Sequence, residues 1–343
     1  MHAAQYLGSG RIDYVETRRT EPGPGEVAVD VHYTGICGTD LHILHGDMDA
    51  RVTLPAVIGH EMSGVVRAVG DGVTEWASGH RVGVMPLAWC GQCPACRAGH
   101  HHICHRLNFL GIDSPGAMQA TWVVPQNVLV RLPEGLDLRA AALLEPLAVA
   151  THDVRRAALT PGEHVLVIGG GPIGTLIALL AAGQGAEVLV SEPDTSRRAL
   201  LAGFDIDAVN PLEVDLAAEV LRRTDGAGAG VTFEVSGSQA GLDAALGNLA
   251  TRGRMVLVAI HATPRPVDLH RIFWRELTVL GARVYEREDF EAAAATLGRD
   301  TERLASLVTA VYPLAEAAAA FARLESGGGV MKVLLDCTEA VGA

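Results

Sequence analysis

Aromatic side chains are scarce: Phe, Trp and Tyr make up 4% of the 343 residues. The 49% apolar content is therefore carried by Ala, Val and Leu, and it is too high for a globally disordered chain. No apolar run reaches the ~18 residues that span a bilayer. No Lys/Arg run or basic helix stands out. Forty acids against 27 bases give a net charge of -13, a field that repels a phosphate backbone. Neither a membrane nor a nucleic acid is an expected partner. Met1-His2-Ala3-Ala4-Gln5 lacks the charged-then-apolar pattern of a secretory signal, so a cytoplasmic location is expected. Repeats of roughly 20–50 residues and low-complexity linkers are missing too. At roughly 100–200 residues per domain, the length suggests two domains.

What is present divides near residue 145. Residues 26–36 alternate as a strand, residues 56–86 carry short apolar runs cut by glycines, and residues 120–132 return to strand. That half reads as a β-rich barrel. Residues 88–106, rich in Cys, Gly and His, read as a metal-held lobe. Beyond a helical pattern at 147–159, strands are expected at 164–168, 187–191, 231–235, 255–260 and 277–280. Helical stretches at 175–183, 195–203, 213–223 and 238–250 separate them. Such alternation implies a parallel sheet with helices on both faces. Helices at 289–297 and 314–325 and a strand at 330–336 close the chain.

Gly169-Gly170-Gly171-Pro172-Ile173-Gly174 fits G-x-G-x-x-G between an apolar strand and a helix, and Glu192 ends the next strand. In such a turn Gly169 permits the tight bend, Gly171 admits a pyrophosphate, and Gly174 lets helix and strand approach. The helix N-terminus, opening at Pro172 and Ile173, presents free N–H groups to the phosphates. Glu192 can accept from an adenosine ribose and repels a 2′-phosphate, which favours NAD over NADP. Arg197 and Arg198 pull the other way, since either can reach a phosphate. A flavin also fits the motif by itself.

Four of the six cysteines form Cys90-x2-Cys93-x2-Cys96-x7-Cys104. Four thiolates complete a tetrahedral zinc shell and leave no open position, so this site is structural. Disulfides or an iron–sulfur cluster are the alternatives. His100, His101, His102 and His105 read as exposed loop residues, and Cys337 as buried and inert.

Cys37 in Cys37-Gly-Thr39-Asp40-Leu-His42, the pair His60-Glu61 after Gly59, and Glu145 before Pro146 each carry little weight alone. With the four-cysteine lobe and the glycine turn in the same order, the chain resembles the zinc-dependent medium-chain alcohol and polyol dehydrogenases over essentially its whole length. The nearest likeness is to the branch holding sorbitol, 2,3-butanediol and threonine dehydrogenases. The resemblance implies a GroES-like β-rich catalytic domain at 1–150 and 300–343, and a Rossmann-type doubly wound NAD-binding domain at 151–299, with the active site in the cleft between them. It implies two Zn2+ per chain. Cys37, His60 and Glu61 would hold the catalytic ion beside Glu145, an alternating ligand or a partner of its water, and the four cysteines would hold the structural ion. Thr39 and His42 match the proton relay, and Lys332 a basic residue near the cofactor pyrophosphate.

The implied activity is reversible, NAD-dependent oxidation of a secondary alcohol in a polyol or vicinal diol by a homo-oligomer, tetramer or dimer. Threonine-type amino alcohol oxidation, or a catalytically idle NAD(H)-binding protein, are the alternatives. Two departures mark this chain. Gly116-Ala-Met-Gln119-Ala-Thr-Trp122 replaces the family's Gly-Gly-Phe-Ala-Glu-Tyr, and Val284 stands before Tyr285 where sorbitol dehydrogenases carry a sugar-binding arginine.

Overall fold

The computed structural model describes residues 1–341 and divides into two units, residues 1–148 with 286 onward, and Val149–Tyr285. The expected return of the chain to the first unit at about 300 comes earlier, at 286. The reason is the Arg287–Arg299 helix. It buries Phe290, Ala293, Ala294 and Leu297, and Arg287 donates to the carbonyls of Asn127 and Leu129 in that unit.

The first unit is built on a seven-stranded sheet around the Glu26–Ile36 strand. That strand pairs antiparallel with Glu61–Val69 on one side and Lys332–Asp336 on the other. The register sets Gly35 opposite Glu61 and Ile36 opposite Val333, so Cys37, Glu61 and Lys332 emerge at one end of the sheet. At this end the first strand turns directly into a helix, Gly38–Leu44, with Cys37 as its N-cap. A short hairpin, Leu87–Ala88 with Asn108–Phe109, carries the cysteine lobe.

The second unit is a six-stranded, wholly parallel sheet. Its order is Asp207–Val209, Glu187–Ser191, His164–Ile168, Ala229–Glu234, Leu249–Leu257, Thr278–Gly281. The chain starts at the third of these, runs to one edge, and then returns to fill the other side. A reversal of this kind leaves a crevice at the carboxyl ends of the two innermost strands. Leu166, Ile168, Leu189, Val220, Leu242, Leu246 and Met255 form the core beneath. The helix Leu269–Arg275, not foreseen from periodicity, buries none of its residues.

Candidate functional site

The Sγ of Cys37, a ring nitrogen of His60 and a carboxylate oxygen of Glu61 lie within 4.8 Å of one another. Asp40, fully buried, supports the first two. Its Oδ2 accepts the Cys37 N–H at 2.8 Å, and its Oδ1 stands 3.7 Å from His60 Nδ1. The His60 ring meets the edge of Phe109 with centroids 5.3 Å apart. Burial opposes a charged His60, but Asp40, Cys37 and Glu145 outweigh it and hold its pKa well above the usual imidazole value. A buried imidazole beside a thiol and a carboxylate is the donor set an open zinc site requires. The residues present therefore fit the ion.

Backbone crowding places His60. Gly59 has φ 96°, and a Cβ on it would press to 2.8 Å from Met118 Cγ. Side chains at Gly111 or Gly116 would overlap the Gly59 carbonyl. The departing segment 116–122 thus serves this wall: Ala117 and Met118 donate to the carbonyls of Gly59 and Ile58.

Lys332 reaches the carboxylate of this trio. Its Nζ lies 2.7 Å from both Glu61 oxygens and 3.3 Å from the Ile36 carbonyl, with Lys332 and Glu61 4% and 1% exposed. Burial disfavours the ammonium, yet Glu61, Cys37 and Glu145 raise its pKa above the ordinary lysine value. The strand register makes this ion pair, because it sets Lys332 beside the end of Glu61's strand. Glu145 is buried in the first turn of the Leu144–Ala157 helix, and its charge acts on both His60 and Lys332.

Thr39 and His42 lie three residues apart on the short helix and so share a face. Thr39 Oγ1 is 3.8 Å from Cys37 Sγ. His42 is exposed, with Nδ1 3.0 Å from an Asp47 oxygen.

In the lobe, Cys104 Sγ is 3.4 Å from Cys90 Sγ and 3.8 Å from Cys93 Sγ. A disulfide needs about 2.05 Å, whereas four sulfurs at about 2.3 Å from one ion stand about 3.8 Å apart. All four sulfurs fall within 4.8 Å of one another, and none is disulfide-bonded. The N–H groups of Gln92 and Cys93 bring Cys90 down to about 5, while burial and the neighbouring thiols push Cys96 up to about 12. Without a cation these sulfurs cannot all be thiolates, so the lobe also fits zinc. Of its histidines, His100, His101 and His105 are exposed as expected. His102 is buried instead, 3.6 Å from Glu286, because the turn at 101–103 folds it inward. Cys337 is fully buried, and burial raises its pKa. Tyr285 is fully buried too. Val284 before it has φ 50°, uncommon for a β-branched residue.

In the second unit Gly169 takes φ 106°, Gly171 caps the Pro172–Gly183 helix, and a Cβ on Gly174 would overlap the Gly169 carbonyl. The buried Glu192 carboxylate accepts the N–H of Gly170 and of Asp194, each at 2.7 Å. Arg198 donates to the carbonyls of Glu192 and Pro193. Arg197 lies 3.8 Å from Glu192, and its Nη1 would be 3.8 Å from a Cβ on Gly171, so it hangs over the turn. A glycine cradle with a helix N-terminus, an acid and one overhanging arginine fits a dinucleotide.

The model of the alcohol dehydrogenase GroES-like domain matches residues 23–134, and that of the zinc-binding dehydrogenase matches residues 172–299. The 2-dehydro-3-deoxy-L-galactonate 5-dehydrogenase of Pseudoalteromonas atlantica is 49% identical over 98% of this chain and 99% of its own. The chain belongs to the zinc-dependent medium-chain alcohol and polyol dehydrogenase family. A sorbitol dehydrogenase of Halalkalibacterium halodurans is 32% identical over 96% of both chains. An Escherichia coli alcohol dehydrogenase solved with NADH superposes with a TM-score of 0.91 at 28% identity, covering 98% of this chain and 99% of that one.

For this dehydrogenase, sequence reasoning missed the parts that act at second hand. Asp40 was visible in the Cys37 motif, and its spacing of three from an N-cap was the available signal. Nothing in the sequence linked Lys332 to Glu61, or Gly111 and Gly116 to Gly59.

Proposed function

We propose that this dehydrogenase oxidises a secondary hydroxyl of a sugar acid, reversibly, with NAD as acceptor. The observation that carries the reading is the convergence of Cys37, His60 and Glu61 at one sheet end, with Asp40 behind them. The likeness to a sugar-acid dehydrogenase along nearly the whole chain supports the substrate class. Zinc at these three residues would supply Lewis acidity toward an alcohol oxygen, and NAD at the glycine turn would accept the hydride. The chain's own residues handle the proton. Thr39 Oγ1 accepts it from the hydroxyl while giving up its own proton, which His42 on the same helix face, its ring steadied by Asp47, would carry on to water. Asp40 holds His60 and the Cys37 backbone in place, and Lys332 balances the Glu61 charge. Glu145, buried with its charge acting on His60, stands ready as a further ligand or a partner for the ion's water.

We assign two zinc ions per chain, one at this trio and one at the four cysteines, and prefer NAD because the Glu192 carboxylate beside the glycine turn would repel a 2′-phosphate. A zinc-binding four-cysteine lobe suits a reducing cytoplasm. No described helix is long and apolar enough to cross a membrane. We infer a homo-oligomer, dimer or tetramer. The edge strand Thr278–Gly281 has one neighbour, and Ile260, Leu269, Phe273 and Trp274 around it are exposed.

The test is cofactor reduction across deoxy sugar acids, sorbitol, butane-2,3-diol and threonine. Sugar acids should give the highest kcat/KM, and Cys37→Ala and His60→Ala should abolish turnover. Threonine as best substrate, or turnover surviving both substitutions, would overturn the reading.

A further inference from the structure

A second polar cluster lies in the Val149–Tyr285 unit and takes no part in the scheme above. Glu234, the last residue of the Ala229–Glu234 strand, is fully buried. One carboxylate oxygen accepts from the Ser236 N–H at 2.9 Å, the Ser236 hydroxyl at 2.6 Å and the Gly237 N–H at 3.0 Å. The other oxygen is 3.0 Å from His261 Nε2. The Glu234 carbonyl in turn accepts from Val258 and Ala259, which lead into His261. The loops leaving two adjacent strands are thus tied together through one carboxylate.

Facing a carboxylate, His261 Nε2 is the donor, so in the neutral ring Nδ1 is an acceptor. That Nδ1 is buried and has no hydrogen-bond partner. An acceptor left bare in this way is unfavourable unless something donates to it.

Its position says what that something is. A Cβ on Gly169 would lie 3.4 Å from the Ser236 nitrogen, so the glycine turn and the Glu234 loop touch across the point where strand order reverses. Glu192, on one side of that point, suits the adenosine ribose. A dinucleotide with its pyrophosphate at the glycine turn must then extend its nicotinamide half over the ends of the Ala229–Glu234 and Leu249–Leu257 strands.

We propose that His261, held by Glu234, is a cofactor-binding residue whose Nδ1 accepts a hydrogen bond from the nicotinamide half of NAD(H), either a ribose hydroxyl or the carboxamide N–H. This rests on the dinucleotide reading above.

The test is equilibrium binding of NADH and of ADP to the full chain, wild type and His261→Phe, followed by fluorescence or calorimetry. ADP reports the adenosine half alone. The variant should bind NADH about three- to tenfold more weakly and ADP equally well. His261→Leu should behave the same way, and it replaces the phenylalanine variant if that one folds poorly. NADH with its carboxamide replaced by an acetyl group separates the two donors. An undiminished loss with this analogue assigns the hydroxyl, and a vanished loss assigns the carboxamide. Unchanged NADH affinity overturns the proposal, and so does a parallel loss of ADP binding in both variants, which would mean a structural role. Wild-type protein that binds no NADH overturns the dinucleotide reading as well.

Discussion

Replacing Lys332 with methionine tests the buried ion pair behind the centre. The ammonium is 2.7 Å from both oxygens of Glu61, and the two side chains are almost wholly enclosed. Methionine fills a similar volume without charge, so Glu61 would be left as a buried, unbalanced carboxylate. Breaking a buried pair from one side costs about 3–5 kcal/mol. At about 2–4 °C per kcal/mol for a unit of this size, the metal-free protein should melt about 6–20 °C lower. A zinc ion beside Glu61 supplies the missing positive charge. The zinc-loaded variant should therefore recover most of that loss and bind its catalytic-site zinc more tightly than wild type. The assay is thermal unfolding of both proteins with and without chelator, together with a competitive zinc titration. An equal loss in both metal states, or unchanged zinc affinity, would refute the reasoning. The pH dependence gives a second handle. The folded pKa of Lys332 is raised, so its contribution is complete below the unfolded pKa and is lost as pH climbs through the folded one. The gap between wild type and variant should close on the alkaline side.

Three further outcomes follow from the geometry. Cys104→Ser removes a sulfur that stands close to both Cys90 and Cys93, so elemental analysis should find one zinc fewer per chain and the lobe should become protease-sensitive; full metal content would count against a structural ion there. Glu192→Ala frees Arg197 and removes the acid beside the glycine turn, so the kcat/KM ratio of NAD to NADP should fall; an unaltered ratio would remove Glu192 from cofactor selection. Glu163 pairs with Arg254 at 2.7 and 2.8 Å, and these contacts, with Thr160, outweigh burial and depress its pKa. Its stabilisation is therefore present above the unfolded carboxyl pKa and lost as pH falls through the folded one. Glu163→Gln should cost about 1–3 kcal/mol near neutrality and little in strong acid, as read by denaturant unfolding at several pH values.

Much of this molecule could be read along the chain because the informative patterns are local. The glycine turn between strand and helix, the four cysteines within fifteen residues, and the cluster from Cys37 to His42 each need only neighbouring residues to make sense. The alternating second half likewise announced a parallel sheet, since strand and helix periods differ. Less local features were placed less well. The sequence groups the Arg287–Arg299 helix with the second unit and contact packing with the first, because an amphipathic pattern states that a face is buried, not against what. His102 reads in the sequence as a loop residue like its neighbours, and only the inward turn of the lobe distinguishes it.

The sequence by itself determined the ligand types, the glycine cradle and the order of the two units, because these depend on residue chemistry and short spacing. Only the tertiary structure decided that Lys332 balances Glu61, that Gly59, Gly111 and Gly116 make one wall, and that His261 leans on Glu234. Each of these joins residues that are distant in the chain or lie on separate strands. Strand register, loop closure and the exclusion of water bring them together, and no local pattern encodes those.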